Sequence, residues 1–364
     1  MVFLGGPRQV GKTTLARSLV DGDSPTYRGR YLNWDRMSDQ EIIRREQWSD
    51  DDTLLLLDEI HKYPKWKNLV KGYYDTLKSK HKFLITGSAR LDLYRRGGDS
   101  LLGRYHYWRL HPFTLNELPA KISPAEAYAR LLRVGGFPEP FLDNDLREAR
   151  RWREERYQRI IRDDIRDLEP IRNIQQMAML LELLRRRVGG LIHIANLAND
   201  VQVSPATVKH WIEIFEKMYL IFIVRAYVGK LPRATQKPMK IYFFDNSDVV
   251  GDEGAVFENF VATHLLKICH FRQDHTGEIW DLRYVRDKEQ HEVDFVLLRD
   301  GKIVDLIEAK WSDATVSSSL LYFGNKLKAP RITQLVGNQG QPFHKGAQHI
   351  VHPLDYFAQG SFAE

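Results

Sequence analysis

Gly6-Pro7-Arg8-Gln9-Val10-Gly11-Lys12-Thr13 follows the apolar run Val2-Phe3-Leu4 and precedes a helical stretch that begins at Leu15-Ala16. The pattern G-x-x-x-x-G-K-[ST] between a strand and a helix describes a phosphate-binding loop. Gly6 and Gly11 permit a tight turn whose backbone N–H groups cradle phosphate oxygens. Lys12 then reaches the β- and γ-phosphates, and the Thr13 hydroxyl ligates Mg²⁺. The expected ligand is a nucleoside triphosphate with Mg²⁺. A Gly-rich turn without nucleotide chemistry would need neither the Lys-Thr pair nor the flanking strand and helix.

Such a loop needs carboxylates at the end of a neighbouring buried strand. Leu54-Leu55-Leu56-Leu57-Asp58-Glu59, after Asp50-Asp51-Asp52, supplies them. Four consecutive leucines suit a strand buried on both faces of a parallel sheet, where no polar alternation is expected. Asp58 is the candidate Mg²⁺ partner and Glu59 the group that polarises an attacking water. Phe83-Leu84-Ile85-Thr86-Gly87-Ser88 reads as a third strand ending in small hydroxyls. Ser88 is the first candidate γ-phosphate sensor and Thr86 the second, although hydroxyls at strand ends also cap helices. A charge-stabilising arginine is expected too, with Arg104 in Leu101-Leu102-Gly103-Arg104 first, then Arg90 and Arg109. Among 54 lysines and arginines, any single arginine is ordinarily a solvated surface charge.

Five stretches occur in order: G-P-R-Q-V-G-K-T-T, L-L-L-L-D-E-I-H, I-T-G-S-A-R, L-L-G-R and G-G-F-P-E-P. From Val2 to about Lys310 the chain resembles the prokaryotic AAA+-superfamily ATPases that carry a C-terminal domain of formerly unknown function. The resemblance implies an α/β P-loop ATPase core, a winged-helix region and a terminal α/β fold similar to PD-(D/E)XK, restriction-endonuclease-like nucleases. It assigns nucleotide roles to Gly6, Gly11, Lys12, Thr13, Asp58 and Glu59, with Ser88 and Arg104 in supporting positions. Such proteins usually carry a segment before the loop strand that contacts adenine. A misplaced gene start, a truncated chain or a nucleotide held mainly through its phosphates would each account for its absence here.

Composition bounds the class independently. The chain has 364 residues, 43% of them hydrophobic, enough for two or three domains. It has no apolar run of about 18 residues, and Met1 leads straight into a strand rather than into a signal region, so a cytoplasmic protein with no membrane contact is expected. Cys269 is the one cysteine, which excludes an intramolecular disulfide and a cysteine-based zinc cluster; a buried, inert role is expected. The net charge is +6, but 48 acidic residues argue against a simple polycationic nucleic-acid binder. Arg147 to Arg166, with eight arginines among five acids, suits a long helix with a solvated, ion-paired face. Arg185-Arg186-Arg187 suits a helix C-terminus.

Breaks in pattern divide the chain into an ATPase core at 1–120, a helical region at 121–188, a winged helix at 189–245 and a nuclease-like domain at 246–364. Ser123-Pro124-Ala125-Glu126 caps a helix that Gly135-Gly136-Phe137-Pro138 breaks. Helices over Ile194–Asn199 and Ser204–Lys217, a strand over Leu220–Val224, a loop over Gly229–Pro238 and a strand over Lys240–Phe244 give the winged-helix order. Thr207, Lys209 and His210 on its second helix, and Lys230, Arg233 and Lys237 on the loop, are the candidates for DNA contact. Trp211 and Phe215 read as core.

In the last region, Glu292 to Leu298 alternates, Arg299-Asp300-Gly301 turns the chain, and Lys302 to Trp311 returns. Asp294 lies on the first strand; Glu308 and Lys310 share one face of the second. Asp294 and Glu308 are candidate ligands for Mg²⁺ or Mn²⁺, Lys310 would orient a hydroxide or offset phosphorane charge, and Glu258 would assist from a preceding helix. With Val293 in place of the proline, these match the PD-(D/E)XK pattern. A charged edge strand or a degenerate relic of such a site fits the same residues.

The expectation is an ATP-hydrolysing, nucleotide-gated, DNA-associated protein with a metal-dependent nuclease site. The competing reading keeps the ATPase switch and gives the C-terminal module only protein or nucleic-acid binding. A transporter ATPase is disfavoured, since neither a transmembrane partner segment nor an ABC-type signature is present. AAA+ kinship suggests ring oligomers by analogy alone.

Overall fold

Four consecutive leucines set the layers of the N-terminal unit. A computed structural model of the chain describes residues 1–21, 26–87, 101–117, 121–161, 174–228, 238–312, 315–338, 343–345 and 347–358. Two units divide it: Met1–His111 with Lys217–Tyr219, and Pro112–Glu216 with Leu220–Glu364. In the first, β1 (Val2–Gly5), α1 (Lys12–Asp21), β2 (Gly29–Asn33), α2 (Met37–Arg45), β3 (Leu54–Asp58), α3 (Trp66–Leu77), β4 (Lys82–Thr86) and β5 (His106–Arg109) follow in turn. The strands form a parallel sheet ordered β2-β3-β4-β1-β5.

Every residue of β3 is buried. Leu55 and Leu57 pack with Ile43 of α2 and with Trp66, Val70 and Tyr73 of α3, whereas Leu54 and Leu56 pack with Ala16 of α1. Side chains alternate across a strand, so this leucine run feeds two cores at once. β4 lies between β1 and β3, pairing Leu4 with Thr86 and Thr86 with Asp58. Three strand ends thus stand in one row beside the loop.

The second unit opens with α4 (Pro124–Arg133), α5 (Pro138–Asp143), α6 (Leu146–Arg159) and α7 (Ile174–Arg185). The Ser123 hydroxyl accepts the Glu126 N–H at 3.2 Å, the cap expected from the sequence. Gly135 sits between α4 and α5 with φ +83°, and a Cβ there would lie 1.8 Å from Asp245 Oδ1. The break therefore makes room for a buried carboxylate. Arg156 is the exception to the solvated face expected of α6: it is fully buried, 3.4 Å from Asp248 and 3.6 Å from Asp245, with Phe137 stacked 4.1 Å away.

Next come β6 (Leu191–Ile192), α8 (Ile194–Val201), α9 (Pro205–Lys217), β7 (Ile221–Ala226), β8 (Met239–Phe243), α10 (Glu253–Thr276), β9 (Trp280–Arg286), β10 (Glu292–Arg299), β11 (Lys302–Lys310), α11 (Ser318–Leu327), β12 (Ile332–Val336), β13 (Phe343–Lys345), β14 (Gln348–Val351) and α12 (Pro353–Ala358). One nine-stranded sheet, ordered β13-β14-β12-β11-β10-β9-β7-β8-β6, holds them. The parallel pairing of β7 with β9 carries this sheet across the position at 245/246 where the sequence suggested a domain boundary. Between β10 and β11, Asp300 and Gly301 make the expected tight turn with φ of 49° and 76°. Cys269 is buried, as expected. Among the described residues, no helix is long and apolar enough to cross a membrane.

His264 of α10 joins the segment before α4 to this core. Its Nε2 accepts the Leu115 N–H at 3.1 Å, and its Nδ1 lies 2.8 Å from the Phe260 carbonyl, the arrangement of a neutral ring donating through Nδ1. Burial pushes the imidazole down to about 3, against the pull of the Phe260 carbonyl. The unfolded chain takes up a proton below the ordinary histidine value of 6.5 that the folded chain refuses. Stability from this group is therefore complete above that value and is lost progressively toward pH 3. The melting temperature of His264→Gln should lie below that of the parent near pH 7.5, and the gap should narrow as the pH is lowered toward 5. A gap that is constant with pH would show that the neutral ring is not what burial selects.

Candidate functional site

The loop from Gly6 to Gly11 connects the buried β1 to α1, and its backbone is unusual at three places: Gly6 (φ +132°), Gln9 (φ +60°) and Gly11 (φ +95°). Alternating backbone handedness of this kind turns successive N–H groups toward a common concavity that suits an anion. Gly6 has no alternative, because a Cβ there would meet the Leu110 carbonyl oxygen at 2.2 Å. Lys12, at the start of α1, is buried and folds its ammonium back onto the Gly6 and Pro7 carbonyls at 3.0 and 2.5 Å.

Asp58 organises the adjoining strand ends. Its Oδ2 accepts from Thr13 Oγ1 at 2.9 Å and from the Tyr31 hydroxyl at 2.8 Å, and its Oδ1 accepts from Thr86 Oγ1 at 2.5 Å. Asn33 Nδ2 in turn donates to the Tyr31 oxygen at 3.0 Å. Burial, with the hydrogen bond to Asp58, pushes the Tyr31 hydroxyl up to about 12, so it remains a donor. The Thr13 and Asp58 oxygens are hard donors held side by side, a set that fits Mg²⁺.

Glu59 follows with a left-handed backbone, φ +57°, and its N–H donates to the Thr86 carbonyl at 3.0 Å. Its carboxylate lies 3.3 Å from Lys62 Nζ and 3.7 Å from His61 Nε2. Burial raises its pKa above the ordinary glutamate value, against the pull of Lys62. A carboxyl moved in that direction accepts a proton more readily near neutral pH.

Thr86, the second sensor candidate, is thus in contact with Asp58, whereas Ser88 and Arg90 lie outside the described residues. Arg104 lies away from the loop of its own chain. His106 pairs with Val2, the first residue of β1, so Arg104 precedes the sheet edge opposite the loop. There its guanidinium meets Asp75 of α3 at 2.8 and 3.3 Å. The length of β1, roughly 10 Å at strand rise, separates it from the loop of its own chain. Arg109 pairs with Gly5 at the loop edge and is the better placed arginine.

A second constellation forms in the C-terminal unit. Asp294 and Glu308 are adjacent: the Asp294 N–H donates to Glu308 Oε2 at 3.4 Å, and Lys310 Nζ is 3.0 Å from Glu308 Oε1. Glu258 of α10 joins them through Lys240 of β8, whose ammonium is 3.2 Å from Glu258, 3.0 Å from Asp294 and 2.7 Å from Glu292. Burial, then the Asp294 charge, pushes the Glu308 carboxyl up to about 8 despite Lys310. Burial alone would lower the pKa of Lys240, but Tyr242 and the three acids hold it well above the ordinary value. The four residues expected at a nuclease site are therefore together. Asp294 and Glu308 form a pair of carboxylates, and among the described residues no group of three or more His, Cys, Asp or Glu side chains is arranged to hold a metal ion.

Residues 1–119 match the AAA domain family. The N-terminal unit has the α/β parallel-sheet core of P-loop NTPases, with the loop and acidic strand end in place. Beyond this AAA domain, residues 125–249 and 253–357 match two families described as domains of unknown function, DUF8612 and DUF4143. An uncharacterized protein of Mycobacterium tuberculosis is 25% identical over 248 residues, covering 67% of this chain and 54% of that protein. An uncharacterized protein of Methanocaldococcus jannaschii is 25% identical over 332 residues, covering 74% of this chain and 68% of that one. The chain thus spans little more than half the length of the first of these relatives. Two solved structures share a looser likeness. The Thermotoga maritima RuvB Holliday junction branch migration motor is 19% identical with a TM-score of 0.30, over 61% of this chain and 80% of that one. The Aeropyrum pernix ORC1 protein in complex with DNA is 14% identical with a TM-score of 0.27, over 72% and 86%. At these scores neither carries weight for what this chain does.

Sequence reasoning missed Tyr31 and Asn33 in the AAA domain, and Lys240, Tyr242 and Glu292 in the C-terminal unit. A lysine inside Met239-Lys240-Ile241-Tyr242-Phe243 was the one available signal, because a charge in an apolar strand demands partners. For the AAA domain, Tyr31→Phe should destabilise folding by about 0.5–1.5 kcal/mol, the worth of one hydrogen bond to Asp58. Chemical denaturation measures it, and an unchanged midpoint would remove Tyr31 from the anchoring role.

Proposed function

We propose that this chain is an ATP-binding and ATP-hydrolysing switch whose C-terminal unit engages DNA. The observation that carries the nucleotide half is the Thr13–Asp58 hydrogen bond at 2.9 Å beside a loop that already gathers the Lys12 ammonium. Lys12 leaves the Gly6 and Pro7 carbonyls for the β- and γ-phosphates, exchanging neutral acceptors for charged ones. Thr13 and Asp58 would hold Mg²⁺, which would supply positive charge to offset the negative charge developing on the transferred phosphoryl group. Thr86 and Tyr31 keep the Asp58 carboxylate from rotating. Glu59 orients the attacking water and accepts its proton, and Arg109 of β5 stands beside Gly5 at the loop edge.

Support for DNA comes from the order strand, helix, helix, strand, strand over β6, α8, α9, β7 and β8, with Lys209 and His210 exposed on α9 and Thr207 half-buried. That order is the one by which a winged helix presents its second helix. Lys230, Arg233 and Lys237 lie outside the described residues. DNA contact here would be backbone-directed and salt-dependent.

Lys12→Ala should lower ATP turnover about 10²–10³-fold, as expected for loss of a preorganised charge at a transferring group. Glu59→Gln should abolish turnover to a similar degree yet retain binding of a fluorescent ATP analogue. Parental turnover in both variants would place hydrolysis elsewhere. Lys209→Glu should weaken duplex DNA in a gel-shift titration and flatten its salt dependence; unchanged binding would remove α9 from the interface while leaving the ATPase reading intact.

A further inference from the structure

The carboxylates of the C-terminal constellation are nearly all spoken for. Lys240 presents three ammonium donors, and three carboxylate oxygens surround it: Glu258 Oε1, Glu292 Oε1 and Asp294 Oδ1, all within 3.2 Å. The lysine side chain is 1% exposed. Glu292 Oε2 accepts from Arg286 at 2.7 Å, and Asp294 Oδ2 accepts the Ala309 N–H at 3.1 Å. Glu308 Oε1 and Oε2 are met by Lys310 and by the Asp294 N–H, and Tyr242 donates to Glu258 Oε1 at 2.6 Å. Four acids face three cations, Lys240, Arg286 and Lys310, and the raised pKa of Glu308 lets a proton take up the remaining charge.

A divalent ion held by Asp294 and Glu308, with Glu258 assisting, would have to take oxygens now held by Lys240 Nζ, the Ala309 N–H, Lys310 Nζ and the Asp294 N–H. Mg²⁺ and Mn²⁺ want short, near-octahedral oxygen contacts, and they would meet an ammonium in that position. We infer that Lys240 is the resident cation of this cluster, delivered by β8 in place of a divalent metal, and that the constellation is an ion-pair lock joining β8 to α10, β10 and β11 rather than a nuclease centre. The inference is independent of nucleotide chemistry in the AAA domain.

The test is a Mn²⁺ titration of the nucleotide-free full chain, followed by electron paramagnetic resonance, with melting temperatures recorded in parallel. The parent, Asp294→Asn and Glu308→Gln should bind the same amount of Mn²⁺. Lys240→Met should melt well below the parent, gain one saturable Mn²⁺ that Lys240→Met/Asp294→Asn lacks, and recover melting temperature as Mn²⁺ is added. Binding by the parent that exceeds that of Asp294→Asn and Glu308→Gln would overturn the inference. So would a folded Lys240→Met that takes up no additional Mn²⁺. Should Lys240→Met fail to fold, the comparison of the parent with the two carboxylate variants decides the question alone.

Discussion

The ammonium of Lys240 lies on a strand whose neighbours Ile241 and Phe243 are fully buried, and water does not reach it. An ion so placed is tolerated only when its hydrogen-bonding capacity is filled by opposite charge. That requirement accounts for much of the C-terminal unit. It brings α10 close enough to present Glu258, it selects a face of β10 that carries both Glu292 and Asp294, and it leaves Glu308 and Lys310 to compensate one another on β11. Buried ion networks contribute little net stability but are costly to break, so their effect is to favour one arrangement over its competitors.

The N-terminal unit is governed by a different constraint, the placing of β4 between the loop strand and the acidic strand. Thr86 is thereby set between Leu4 and Asp58 and donates to the carboxylate. Three hydroxyls of different reach, on α1, β2 and β4, converge on that one side chain. The three contacts that fix this carboxylate are neutral hydroxyl donors, which leaves its negative charge available to a cation.

Much of this was legible in the sequence because the signals were local. The loop motif, the leucine run, the Ser123 cap and the Asp300-Gly301 turn each depend on residues within a few positions of one another, and each formed as expected. Helices α8 and α9 and strands β7 and β8 were equally readable from period and capping. What could not be read was anything set by sheet order. The place of Arg104 is one case: β5 runs parallel to β1, which puts the residues before it at the far edge. The partners of Lys240 were hidden for the same reason: its acids lie 18 to 54 positions away, and the two on β10 reach it through the pairing of β7 with β9 and of β9 with β10. Arg156, one arginine among many on a charged helix, gave no sign that it would be the buried one.

The β7–β9 pairing also bears on how the chain can be divided. Two matched families meet between residues 249 and 253, yet the sheet runs through that junction without a gap. A fragment ending there would expose the open backbone edge of β7, and an unprotected strand edge recruits other strands. It would also strand the Lys240 ammonium in an apolar wall without its acids. The two halves are separable in sequence but share one sheet: a fragment made to that boundary should aggregate, whereas both halves produced in one cell have the means to find each other as complementary pieces of that sheet.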